Sequence, residues 1–95
     1  YYNRWTGSWL ASWINLGGAT IDRPDLWAYQ PDFLCLSVRG SDNGIYKKTM
    51  DLTTYVWTTS WSRWLGEGAT ASGPTVDVGI IVVRGMDNGI YYYFD

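Results

Sequence analysis

A nine-residue stretch occurs twice in this chain. Val38-Arg39-Gly40-Ser41-Asp42-Asn43-Gly44-Ile45-Tyr46 returns as Val83-Arg84-Gly85-Met86-Asp87-Asn88-Gly89-Ile90-Tyr91, with eight of nine positions identical. Two further pairs frame it. Trp5-Thr6-Gly7-Ser8-Trp9 matches Trp57-Thr58-Thr59-Ser60-Trp61, and Gly18-Ala19-Thr20 matches Gly68-Ala69-Thr70. Pro24 and Pro74 each follow six residues after those glycines. The offsets run 52, 50 and 45, so the second copy is shortened between Pro74 and Arg84. A duplication with a period near 50 residues points to stacked supersecondary units.

Each copy reads as short strands punctuated by turns, with no helical periodicity. In the first copy the pattern predicts strands at residues 25–29, 33–39, 45–50 and 55–61. Residues 40–44 form a tight hairpin loop, where Asx side chains satisfy local backbone groups and glycine takes positive φ. The Gly-rich residues 65–68 are expected as the turn into the next copy. Four antiparallel strands per repeat is the make-up of a propeller blade. The expected fold is therefore all-β, a β-propeller with two blade repeats per chain. Residues 1–13 are expected to be an outer strand completing a blade begun by another chain's C-terminus. Residues 14–64 are the first blade repeat, and 65–95 a second repeat lacking its outer strand.

Joining one copy's C-terminus to another's N-terminus puts Trp5 nine residues after Tyr91, while Trp57 lies eleven after Tyr46. The termini are thus expected to hold two halves of one blade, with the ring closed by homo-oligomerisation. A trimer is the favoured ring, a tetramer the second.

Composition excludes several chemistries. The chain has no histidine, which removes His-based acid–base catalysis and His-ligated metal sites. Cys35, within an apolar run, is expected to be a buried, inert thiol. Glu67 is the only glutamate and lies in a Gly-rich stretch, and the repeated Asp42 and Asp87 have a local role in their hairpins, so the paired carboxylates of glycoside hydrolysis are not expected. An enzyme is not expected, nor a metal or cofactor. Seven basic and nine acidic residues carry no basic run beyond Lys47-Lys48, so no nucleic-acid partner is expected. No segment approaches the ~18 apolar residues of a membrane span.

The pattern Trp-x3-Trp, Leu16-Gly17-Gly18, a proline, an apolar strand and then Val-Arg-Gly-x-Asp-Asn-Gly-Ile-Tyr resembles bacterial propeller lectins of the Photorhabdus lectin type. The resemblance spans essentially the whole chain. It implies fucose or a related sugar held between adjacent blades, mostly by aromatic walls.

Seven Trp and eight Tyr supply candidates for such walls. Trp5 and Trp9, like Trp57 and Trp61, would share a strand face at a spacing of four, one member packing between blades and the other lining a pocket. Trp27 and Tyr29 occur in the first copy only. Trp27 is either core or the feature that separates a good site from a poor one. Tyr46 and Tyr91 follow the hairpins, as packing residues with a hydroxyl reaching a partner. Arg39 and Arg84 are read as pairing with a carboxylate or backbone carbonyls, or as contacting a sugar hydroxyl. The leading expectation is a multivalent, non-catalytic carbohydrate-binding lectin. The alternatives are a propeller scaffold for protein interaction, or an engineered or ancestral-like self-assembling fragment with weak or no binding.

Overall fold

A computed structural model of the chain is all-β, with eight strands and no helix among the described residues. It describes every residue except Gln30, Thr59, Val78, Gly79 and Asp95, and for Tyr29, Leu65, Gly66 and Glu67 only the backbone. The strands are β1 Asp25–Tyr29, β2 Phe33–Arg39, β3 Gly44–Asp51, β4 Val56–Trp57, β5 Ser62–Ala69, β6 Thr75–Asp77, β7 Ile80–Arg84 and β8 Ile90–Phe94.

The first sheet is an antiparallel meander β1-β2-β3, whose outer edge is paired by both β4 and β5. Trp57 lies opposite Met50 and Ser62 opposite Lys47. Between these two pairs the chain has four residues on the outer row and two on β3, an excess that interrupts the row as a bulge does. The strand expected at 55–61 is cut down to Val56–Trp57, and Trp61 sits between it and β5. Residues 65–68, expected as a turn, fall within β5, where the register jumps from Ile45–Trp64 to Gly44–Ala69.

Alternation gives this sheet two apolar faces. Leu26, Leu34, Leu36, Val38 and Met50 point to one side. Trp27, Cys35, Ile45 and Trp64 point to the other, where they form the core with Val76 and Ile81 of the second sheet. Ile45, Cys35 and Ile81 are at most 2% exposed. Cys35 is accordingly buried, as its apolar run implies.

The second sheet repeats only three rows, β6-β7-β8. Its β8 edge pairs with no strand among the described residues, and every residue from Ile90 to Phe94 is exposed. Bonds between the repeats help tie the sheets together. The Thr70 N–H donates to the Asn43 carbonyl (2.8 Å), and the Val76 N–H to Asp25 Oδ2 (2.5 Å).

Residues 1–13, expected to pair with another chain, belong to no named strand of this one. They fold back as a loop closed by isolated bridges between Tyr2 and Ile14 and between Trp5 and Trp9. Gly7 at φ 96° reverses the chain. Asn3 pins it: its Oδ1 accepts from the Arg4 and Leu10 N–H groups, and its Nδ2 donates to the Leu10 carbonyl. No helix of the described residues is long and apolar enough to cross a membrane.

Candidate functional site: two hairpin pockets

The repeated hairpins build the same geometry twice. The Gly40 N–H donates to the Gly44 carbonyl and the Gly85 N–H to the Gly89 carbonyl, each at 2.8 Å. Asn43 and Asn88 take φ of 66° and 67°, a region Asn tolerates better than most residues. Asp42 Oδ1 accepts from the Gly44 N–H, and Asp87 Oδ1 from the Gly89 N–H, both at 2.9 Å. The Tyr46 and Tyr91 hydroxyls donate to Asp42 Oδ2 and Asp87 Oδ2, both at 2.6 Å.

These bonds set the electrostatics. The tyrosine hydroxyl and then the glycine N–H hold each aspartate below its ordinary value of 3.8. The same carboxylates push Tyr46 and Tyr91 above 10.0. Glycine is required beside the ring: a Cβ at Gly40 or at Gly85 would come within 2.6 Å of its tyrosine's Cε2.

A pocket of about 250 Å³ opens beside the first hairpin, lined by Gly18, Ala19, Val38, Gly40, Ser41, Asp42, Tyr46 and Trp61. Trp61 closes one side, its indole N–H donating to the Gly17 carbonyl at 3.0 Å. Arg63 braces the rim through an ion pair with Asp42 at 3.2 Å. A pocket of about 430 Å³ lies beside the second hairpin. Gly68, Ala69, Val83, Gly85, Met86, Asp87 and Tyr91 line it, along with Ile45, Ile81, Tyr92 and Tyr93. The first seven are, position for position, the repeat counterparts of the first pocket's lining. Only the counterpart of Trp61 is missing, and by the Trp-x3-Trp match that counterpart is Trp9.

A third cavity, about 820 Å³, separates the N-terminal segment from the Leu34–Leu36–Val38 face. Trp5, Trp9, Trp57 and Trp61 all line it. The two tryptophan pairs do not reach one side by strand alternation, as their spacing suggested. Trp5 and Trp9 oppose each other across a tight reversal, rings 5.4 Å apart, and Trp57 and Trp61 flank the interrupted outer row.

Among the sequence candidates, Tyr46 and Trp61 meet in the first pocket, while Tyr91 lines the second. Trp27 is in the core at 8% exposure. Arg39 donates to Asn43 Oδ1 (2.8 Å) and pairs with Asp22 at 3.7 Å, while Arg84 donates to the Ala71 carbonyl (3.2 Å). Both arginines therefore make the structural pairings considered for them, and neither lines a hairpin pocket. The Tyr29 side chain lies outside the described residues. Sequence reasoning did not name Gly18, Ala19, Val38, Gly40 or Ser41 as lining. The signal was the Gly-Ala-Thr repeat, which brings small residues against the hairpin.

Among the described residues, no group of three or more His, Cys, Asp or Glu is placed to hold a metal ion. No protein-family model matches the chain, and neither does any curated protein.

Proposed function

We propose that the chain is a non-catalytic, multivalent carbohydrate-binding protein, its sheets being blades of a propeller closed by association of identical chains. The observation that carries this reading is the duplicated hairpin pocket. Trp61 and Tyr46 offer aromatic surface to the C–H face of a sugar ring. Ser41 and backbone groups of the glycine turns supply hydroxyl partners at the rim. An apolar wall with a few fixed polar groups is the usual composition of a small-ligand site. The resemblance to Photorhabdus-type propeller lectins favours fucose or a related deoxy sugar, whose methyl group suits an aromatic wall. Equivalent weak sites around a ring gain avidity on a glycan surface.

A glycan array followed by calorimetry tests the reading. Binding of fucosylated glycans that Trp61→Ala weakens by about 1 kcal/mol or more, with the fold intact, is the expected result. An array without any glycan signal would remove it.

A further inference from the structure

The second pocket lacks the tryptophan that closes the first, and the residue that matches Trp61 sits elsewhere in the chain. Trp9 is 62% exposed on the N-terminal segment. That segment lies against the Leu34–Leu36–Val38 face of the first sheet, whereas the second pocket opens beyond the opposite face, beside Ile45. The first sheet stands between them.

A second mismatch concerns the same elements. Ile45 is 2% exposed under Trp64, which is 6% exposed and directly opposite it in register. Its repeat counterpart Ile90 is 84% exposed. Aligning Trp5–Thr20 with Trp57–Thr70 matches Trp13 to Trp64, and Trp13 is 66% exposed.

The sheets themselves supply the template for joining these parts. The Val76–Ile81–Val83 side of the second sheet packs on the Trp27–Cys35–Ile45 side of the first. By repeat correspondence Val76, Ile81 and Val83 match Leu26, Leu36 and Val38. The internal interface is therefore head-to-tail, and one half of each kind is left over. Val82, Ile90, Tyr92 and Phe94 form the open side of the second sheet, between 38% and 84% exposed. The Leu34–Leu36–Val38 face borders the cavity of about 820 Å³. Surfaces that match each other rather than themselves join heterologously.

We propose that a second copy of this chain docks by repeating the internal interface, and that its N-terminal segment pairs along β8. Trp13 of the second copy then covers Ile90 as Trp64 covers Ile45. Trp9 of the second copy walls the second hairpin pocket as Trp61 walls the first. The second site is composite and incomplete in a lone chain. The identity of its ligand rests on the carbohydrate reading above; the docking does not.

Two variants with one added cysteine each test the inference, Trp13→Cys and Ile90→Cys, both at exposed positions, with the wild-type chain and its buried Cys35 as control. After mild oxidation, a disulfide-linked species of doubled mass is expected when the two variants are mixed, and in neither alone. A double variant that closes the bond within one chain, at monomer mass, overturns the proposal. So does wild-type protein that native mass spectrometry finds monomeric at micromolar concentration, a check that holds if Trp13→Cys itself weakens assembly. Cross-linking without any glycan binding keeps the composite interface and removes only the sugar reading. A monomer that still binds glycan does the reverse.

Discussion

Each hairpin hangs on one carboxylate that accepts from a tyrosine hydroxyl and a glycine amide at once. That arrangement has an acid limit and an alkaline limit. The aspartates titrate below 3.8 when folded, so their contribution is complete above that value and is lost as pH falls through the lowered one. The tyrosines titrate above 10.0 when folded, so theirs is complete below that value and is lost as pH rises through the raised one. NMR titration of the Gly44 and Gly89 amides is expected to be flat between these limits and to move at both ends. Tyr46→Phe should abolish the alkaline step at Gly44 alone and bring the Asp42 midpoint back up towards 3.8. An unchanged Asp42 midpoint would refute the assignment. The positive φ of Asn88 carries its own test. Asn88→Gly should be close to neutral, while Asn88→Val should cost about 1–2 kcal/mol in urea unfolding, because a β-branched residue resists this conformation.

At the scale of elements, one hairpin strand appears in two environments. β3 is covered by β5, and β8 is open, although Gly-Ile-Tyr opens both stretches. Deleting the Ile45 side chain removes packing from Trp64 and Ile81 in the core. Ile45→Ala should therefore cost about 2–5 kcal/mol at any protein concentration. Ile90→Ala should leave the stability of a single chain within about 0.5 kcal/mol, and should instead shift oligomer dissociation to higher concentration. Equal losses for the two variants in dilute urea titrations would show that β8 is packed within its own chain. An exposed apolar edge of this kind invites strand pairing. The head-to-tail match between the two sheets makes a second copy the fitting occupant.

For the whole molecule, the two pockets should respond separately. Trp61→Ala is expected to weaken the first site, and Trp9→Ala the composite one, each lowering calorimetric stoichiometry while leaving the other site. Trp27→Ala should act differently. Its ring belongs to the core, so its loss is expected to cost about 3–5 kcal/mol of stability rather than a subset of sites. Binding should also survive EDTA, since each hairpin carboxylate is already engaged by an N–H and an O–H donor, and Asp42 by a guanidinium as well. Calcium-dependent binding would contradict this.

Local chemistry was legible in the sequence alone. The duplicated Val-Arg-Gly-x-Asp-Asn-Gly-Ile-Tyr encodes its own turn, because Asp, Asn and Gly satisfy the hairpin within a few residues of each other. β1 and β2 follow the apolar pattern to the residue. The outer row was not legible. Trp57 to Trp61 reads as uninterrupted strand, yet the break there depends on what lies opposite, since Trp61 turns aside to bond Gly17, 44 residues away. The reversal between Trp5 and Trp9 was not legible either, because it hangs on Gly7 at positive φ and on the Asn3 side chain bonding Leu10, seven residues away. Burial of Trp27 and exposure of Ile90 likewise depend on which sheet stands next to them. Short-range hydrogen bonding is written in sequence neighbours, whereas the facing of sheets, and with it the missing tryptophan of the second pocket, is set only when distant strands pack.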